Sequence, residues 1–141
     1  MIWFLRHGDA EDGADDFARE LTEKGERQSR AAGAALAALG VDIDACLTSP
    51  RVRALETARL TCEALDLQPE VVEALSGGTF DPEDLAAGRG DVLLVGHEPD
   101  FSRAVHNLTG ARFEMKKGGL AAVDGKTLVT LLRPAQIKRL S

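Results

Sequence analysis

Cysteine is scarce in this chain: its 141 residues include two, Cys46 and Cys62. They form neither a C-x-x-C pair nor a cluster with metal-ligand spacing, so buried free thiols are the expected state. Cysteine-based phosphatase chemistry is excluded as well. It needs C-x5-R, whereas four residues separate Cys46 from Arg51 and six separate it from Arg53. The patterns G-x-x-x-x-G-K-[ST] and G-x-S-x-G are missing, which removes the P-loop and the nucleophile elbow. No D-x-D follows the first apolar run.

Long apolar runs are missing too, and none approaches the ~20 residues of a membrane-spanning helix. Met1 enters the first strand within two residues, which leaves no room for a signal peptide. Excess positive charge is absent: 17 Lys and Arg stand against 23 Asp and Glu, a net charge of −6. Binding a phosphate backbone needs a basic surface, so nucleic acid is not expected as the main partner, although a small positive pocket for one phosphate is not excluded. These absences predict a reduced, cytoplasmic protein with no membrane segment. No repeat, low-complexity tract or linker interrupts residues 1–141, which read as one domain. That length buries about 68–70% of the unfolded surface without metal or disulfide support. A monomer is the default expectation.

What is present is a steady alternation of strand and helix. Met1-Ile2-Trp3-Phe4-Leu5 followed by Arg6-His7-Gly8 reads as a buried strand that stops in a glycine-bearing turn. Asp9 to Glu20 is polar and acidic and reads as a loop. Thr22, Glu23 and Lys24 open a helix to about Leu39, stopped by Gly40, with Leu21, Gly25, Gln28, Ala32, Ala35, Leu36 and Leu39 on one face. Ile43 to Thr48 is a second strand. Ser49-Pro50 suits a helix start, with serine as N-cap and proline in the first helical position, and that helix runs to about Leu65. Glu70 to Val72 reads as a short strand, Gly77-Gly78 as a loop and Pro82 to Ala87 as a short helix. Val92-Leu93-Leu94-Val95 is the clearest buried strand and ends in Gly96-His97; a helix from Pro99 to Leu108 follows, closed by Gly110. Leu120 to Val123 and Leu128 to Leu132 flank Asp124-Gly125, a tight-turn signal for a hairpin. The tail after Pro134 is short and basic. The pattern predicts an α/β fold, a three-layer α/β/α domain with a mostly parallel sheet and an antiparallel edge hairpin.

Three strand ends carry the chemistry. Arg6-His7-Gly8 closes the first, Thr48-Ser49-Pro50-Arg51-Val52-Arg53-Ala54 follows the second, and Gly96-His97 closes the Val92 strand. In a parallel sheet such ends share one edge, where ligands bind. Arg6, His7, Arg53 and His97 are thereby placed to converge. A phosphoryl group spreads negative charge over three oxygens and asks the protein mainly to position and neutralise it. The positive end of the helix bearing Arg53 adds to that field.

The motifs L-R-H-G-D-A at 5–10, L-T-E-K-G at 21–25, S-P-R-V-R-A-L-E-T-A at 49–58 and V-G-H-E-P at 95–99 occur in this order. Over nearly its whole length the sequence resembles the histidine phosphatase superfamily, and within it the small SixA-type phosphohistidine phosphatases. The resemblance implies a phosphoglycerate mutase-like fold and a metal-independent phosphatase without a cofactor. It implies that His7 is the nucleophile and takes the phosphoryl group as phosphohistidine. Arg6 and Arg53 match the paired arginines that bind phosphate oxygens, and His97 matches the second histidine, which contacts the same group. The implied partner is a phosphorylated protein, a phosphotransfer domain or phosphocarrier. The alternatives are a phosphomonoesterase or mutase acting on a small phosphate ester, and a non-catalytic phosphate-binding module.

Other residues take their expected places around this set. Arg19 falls where SixA-like sequences often carry an arginine before their L-T motif, and is expected either at the pocket rim or as a plain surface arginine. Arg51 competes with Arg53, but the family spacing favours Arg53, and Arg51, about 200° away on a helix, is expected to face solvent. Many superfamily members use a carboxylic acid to protonate a leaving oxygen. Glu98, directly after His97, and Glu73 are the candidates for that proton donor, while SixA-type members manage without one. Glu98 equally suits the first turn of the following helix. His106 is expected to be structural or superficial. The acidic run Asp9, Glu11, Asp12, Asp15 and Asp16 is expected to be a solvated loop beside the pocket, disfavouring polyanions and favouring a partner with basic residues around its phosphohistidine. Lys116 and Lys117 would offset that charge if their loop folds over the site.

Overall fold

Strand β1 (Ile2–Arg6) reads as an unbroken apolar run because both of its faces are covered. Trp3 and Leu5 point to one layer and Phe4 to the other. The computed structural model describes all 141 residues. Its other strands are β2 (Ala45–Thr48), β3 (Pro69–Val71), β4 (Val92–Gly96), β5 (Leu120–Asp124) and β6 (Thr127–Leu132), and the sheet order is β3-β2-β4-β1-β5-β6. Strands β1 to β4 pair in parallel, while β5 runs antiparallel to both β1 and β6. This is the expected parallel sheet with an antiparallel edge hairpin.

The helices are α1 (Glu23–Ala38), α2 (Val52–Glu63), α3 (Pro82–Ala86), α4 (Asp100–Thr109) and α5 (Pro134–Leu140). One core layer joins Leu5, Leu93 and Val95 of the sheet to Ala32 and Leu36 of α1, Ala54 and Ala58 of α2, and Ile137 of α5. The opposite layer joins Phe4, Leu47 and Leu94 to Phe101 and Val105 of α4, with Met115. Small residues on α1 and α2 let those helices lie close to the sheet and to each other. Cys46 and Cys62 are buried free thiols within the first layer. No helix is long and apolar enough to cross a membrane.

The register fixes the strand ends. Arg6 is level with Gly96, and Thr48 with Val95. The next residue of each strand is therefore delivered to a single edge: His7, His97 and Ser49. The backbone still pairs there, with His7 N–H donating to Gly96 O at 3.0 Å and Ser49 N–H to Val95 O at 3.0 Å.

Several boundaries differ from the sequence expectation. Ser49 is not the N-cap of α2 and Pro50 is not its first residue; the cap is Arg51, which makes no side-chain cap bond. Because the Ser49 amide is held by the sheet, the chain needs Pro50 and Arg51 to turn into the helix. The Ser49 hydroxyl instead accepts the Arg51 N–H at 3.1 Å. Leu39 is 48% exposed, because α1 ends before it and removes it from the buried face. The basic tail folds as α5 and covers α1 through Ile137.

One close approach ties the β1 edge to α1. A Cβ on Gly8 would lie 2.6 Å from Gly25 O, and one on Gly25 would lie 2.0 Å from Asp9 O. Neither neighbour is a flexible side chain, so only two glycines let the loop after β1 rest on the first turn of α1. Alanine is the better helix former by roughly 0.5–1 kcal/mol, yet Gly25→Ala is expected to destabilise the protein by about 1–3 kcal/mol through overpacking. Urea unfolding measures this; a variant as stable as the parent would show that the contact is slack.

Candidate active site

The four residues picked out at the strand ends do meet at one edge. His7 and His97 are 5% and 6% exposed, and their ring centroids lie 5.2 Å apart. His7 Nδ1 is 2.7 Å from Gly8 O. A carbonyl only accepts, so Nδ1 carries the proton and Nε2 keeps its lone pair. Burial, followed by the nearby charges of Arg53, Arg6 and Lys117, pushes the His7 pKa down to about 4 against the opposing Gly8 hydrogen bond. The ring is neutral at pH 7, which is the state a nucleophilic imidazole requires. His97 Nε2 lies 2.8 Å from Ser49 Oγ. Ser49 Oγ, which accepts the Arg51 N–H, can give its own proton to Nε2, and in that arrangement the imidazole proton resides on Nδ1. Burial and the neighbouring His7, Arg53 and Arg51 push the His97 pKa down to about 3.

The arginines are fixed by acceptors lying away from the histidines in sequence. Arg6 Nη1 donates to Met115 O at 2.8 Å. Arg53 Nη1 donates to Asp16 O at 2.8 Å and Nη2 to Asp16 Oδ2 at 3.3 Å. Burial lowers the pKa of both guanidiniums, against the opposing pull of Glu98 on Arg6 and Asp16 on Arg53. Arg6 Nε, Arg53 Nε and His97 Nδ1 are buried and meet no hydrogen-bond partner. Three donors left over around two imidazoles suit a ligand rich in acceptor oxygens.

Asp16 is the centre of the rim, not a solvated member of an acidic run. Its Oδ1 accepts from Arg19 at 3.1 Å, and its Oδ2 accepts from Arg51 at 2.7 Å as well as from Arg53. The hydrogen bond from Arg19, then the charges of Arg53 and Arg51, lowers its pKa. Arg51 does not face solvent as expected. Lying before α2 rather than on it, its side chain reaches Ser76 O at 2.7 Å and Asp16, with the guanidinium 5.9 Å from the Phe17 ring centroid. Arg19 braces the same carboxylate and donates to Glu11 O at 2.8 Å. Lys117 pairs with Asp9 at 3.5 Å, so its loop does fold back over the acidic segment, while Lys116 is exposed.

The candidate acids lie differently. Glu98 Oε1 accepts the Ser102 N–H at 2.7 Å and Oε2 the Met115 N–H at 3.1 Å. It ties α4 to the segment that holds Arg6. Glu73 is exposed and its side chain makes no hydrogen bond or ion pair. His106 is exposed on α4, 3.0 Å from Ala111 O. Sequence reasoning missed Asp16, Met115, Ser49 and Thr57. Thr57 Oγ1 accepts the Gly8 N–H at 3.1 Å and donates to Arg53 O at 2.7 Å. Its spacing of four from Arg53 on one helix face was a usable signal; the carbonyl of Met115 had none. No group of three or more His, Cys, Asp or Glu side chains is arranged to hold a metal ion.

Paired arginines and paired histidines thus meet on the carboxyl edge of an α/β sheet. The chain belongs to the histidine phosphatase superfamily, branch 1, whose family model matches residues 2–81. It is 35% identical over 134 residues to an uncharacterised protein of Picosynechococcus sp., covering 84% of this chain and 81% of the relative. Its structure matches that of the protein histidine phosphatase SixA complexed with tungstate at a TM-score of 0.83 and 29% identity, covering 97% of this chain and 99% of the other. It shares its fold with phosphoserine phosphatase of Entamoeba histolytica, at a TM-score of 0.69 and 15% identity, covering 92% and 95% of the two chains.

The two depressed histidines make stability depend on acid. Their folded pKa values, about 4 and about 3, lie below the ordinary 6.5. Below pH 6.5 the unfolded chain takes up protons that the folded protein refuses. Their contribution is thus complete above pH 6.5 and is lost as pH falls through the folded values, at up to about 1.4 kcal/mol per pH unit for each group. Urea midpoints should fall from pH 7 to pH 4, and His97→Gln should lose less over that interval than the parent. Parallel curves for the two proteins would show that the buried rings do not set the acid limb.

Proposed function

We propose that the protein is a phosphohistidine phosphatase acting on a phosphorylated protein through a phosphohistidine intermediate on His7. The observation that carries this reading is the engagement of Glu98: both its oxygens accept backbone N–H groups, so it serves as a clamp and not as a proton donor. An ester substrate leaves as an alkoxide and asks for an acid. A phosphohistidine whose distal nitrogen carries a proton leaves as neutral imidazole and asks for none. The likeness to SixA supports the same choice.

His7 Nε2 attacks phosphorus, forming a P–N bond as the substrate's P–N bond breaks and its imidazole departs with the electron pair. Arg6 and Arg53, with donors already in place, neutralise the charge that spreads over the equatorial oxygens, as does the His97 Nδ1–H. Water then attacks the phosphoryl group on His7 and releases inorganic phosphate, restoring the neutral ring. Arg19 contributes at the rim by holding Asp16, and through it Arg53.

The test uses a phosphorylated phosphotransfer domain and, separately, an aryl phosphate. His7→Ala should abolish turnover of both. Arg53→Ala should lower kcat by about 10²–10³, the effect typical of losing one oxyanion donor. Glu98→Gln should leave phosphohistidine hydrolysis within a few-fold of the parent. Full activity in His7→Ala would refute the mechanism. Robust ester hydrolysis that collapses in Glu98→Gln, with phosphohistidine untouched by the parent, would establish the ester reading instead.

A further inference from the structure

A cleft of about 690 Å3 lies between α1 and α5, away from the histidine pair. Its apolar lining comes from Ala31 and Ala34 of α1 and Ile137 of α5. Four cations line it, Lys24, Arg27, Arg30 and Lys138, and no carboxylate side chain does. Arg30 lies 3.7 Å from Glu26 and 4.0 Å from Glu63, but Lys24, Arg27 and Lys138 make no ion pair. Three cations without an ion-pair partner beside one apolar trough depart from the character of a chain whose net charge is −6.

The cleft abuts the nucleophile's turn. Gly118, which lines it, donates its N–H to Arg6 O at 3.1 Å and His7 O at 3.0 Å. Gln28, also in the lining, accepts the Asp9 N–H at 2.8 Å. A molecule seated in the cleft therefore rests against the backbone that presents His7. Near the mouth, Asp9 and Asp16 are already paired with Lys117 and with arginines, so part of the acidic loop's repulsion is cancelled.

We infer that the cleft docks an acidic amphipathic segment of the phosphoprotein substrate, a role that rests on the proposed phosphohistidine phosphatase activity. A small anion needs a few fixed, convergent polar groups. Here the cations are exposed and their side chains make no hydrogen bond, which suits a carboxylate-bearing protein surface. The apolar trough receives the apolar face of the same segment, as in helix-in-groove recognition. The segment anchors the partner while its phosphohistidine reaches His7.

The probes are an amphipathic Leu/Glu helical peptide, its Leu/Lys counterpart, a phosphorylated acidic phosphotransfer domain and an aryl phosphate. The Leu/Glu peptide should shift amide resonances of α1 and α5 in the labelled protein, the Leu/Lys peptide should not, and the shifts should vanish in Lys24→Glu/Arg27→Glu/Lys138→Glu. The triple variant should raise KM for the phosphoprotein about tenfold or more, because attraction becomes repulsion, and leave aryl phosphate turnover unchanged. Absence of peptide binding, shifts elsewhere, equal binding of both peptides, or an unaltered phosphoprotein KM would each overturn the docking site. Peptide binding in the cleft with no turnover of the phosphoprotein would refute the phosphohistidine reading and leave the acidic-segment site standing.

Discussion

Two guanidinium groups packed beside two imidazoles repel one another, and the rest of the site is arranged around that repulsion. The structure answers it in two ways. The imidazoles are neutral, held so first by burial and then by the neighbouring positive charges, with pKa values of about 4 and about 3. The guanidiniums keep theirs and are met by acceptors, Met115 O for Arg6 and Asp16 for Arg53. In the proposed reaction this divides the labour of phosphoryl transfer: neutral nitrogen for attack, fixed positive charge for the oxygens. A protonated His7 would add to the cationic cluster and lose its nucleophilic pair.

The fold supplies the rigidity this arrangement needs. His7 and His97 are each the first residue past a buried parallel strand, and their separation is set by strand pairing and not by side-chain choice. The turn after His7 is then held from several sides: by Thr57 on α2, by Gly25 and Gln28 on α1, and by Gly118. Each contact is to backbone. Two of these holds come from side chains, Thr57 Oγ1 and Gln28 Oε1, and the others from the close approach of Gly25 and the Gly118 N–H.

Most of the fold was legible in the sequence because it follows from local rules: apolar runs bounded by glycine for the strands, and alternating connections for the parallel topology. The four residues at the strand ends were legible for the same reason, since knowing where strands stop fixes where His7 and His97 lie. What was not legible depended on contacts between segments far apart in sequence. Asp16 sits in a run of carboxylates that composition marks as solvated, and nothing local distinguishes it from Asp12 or Asp15. Arg51 was misplaced because the helix was started at Ser49; with Ser49 retained by the sheet, the two-residue offset sends Arg51 toward the rim instead of solvent. Met115 contributes a carbonyl, and a carbonyl leaves no trace in residue type.

Asp16 also bears on how the site treats its ligand. A carboxylate is the nearest protein analogue of a phosphate oxygen, and here it takes one terminal nitrogen of Arg53 while the Asp16 backbone carbonyl takes the other and Nε stays unpartnered. With Asp16 bound, that Nε–H is the hydrogen-bonding capacity left on Arg53 for the phosphoryl group of the proposed reaction. Arg51 and Arg19, bonded to the same carboxylate, keep Asp16 from swinging inward to neutralise the pocket. The three arginines thus maintain one acid at the rim, and that acid keeps one of them ready for a phosphate.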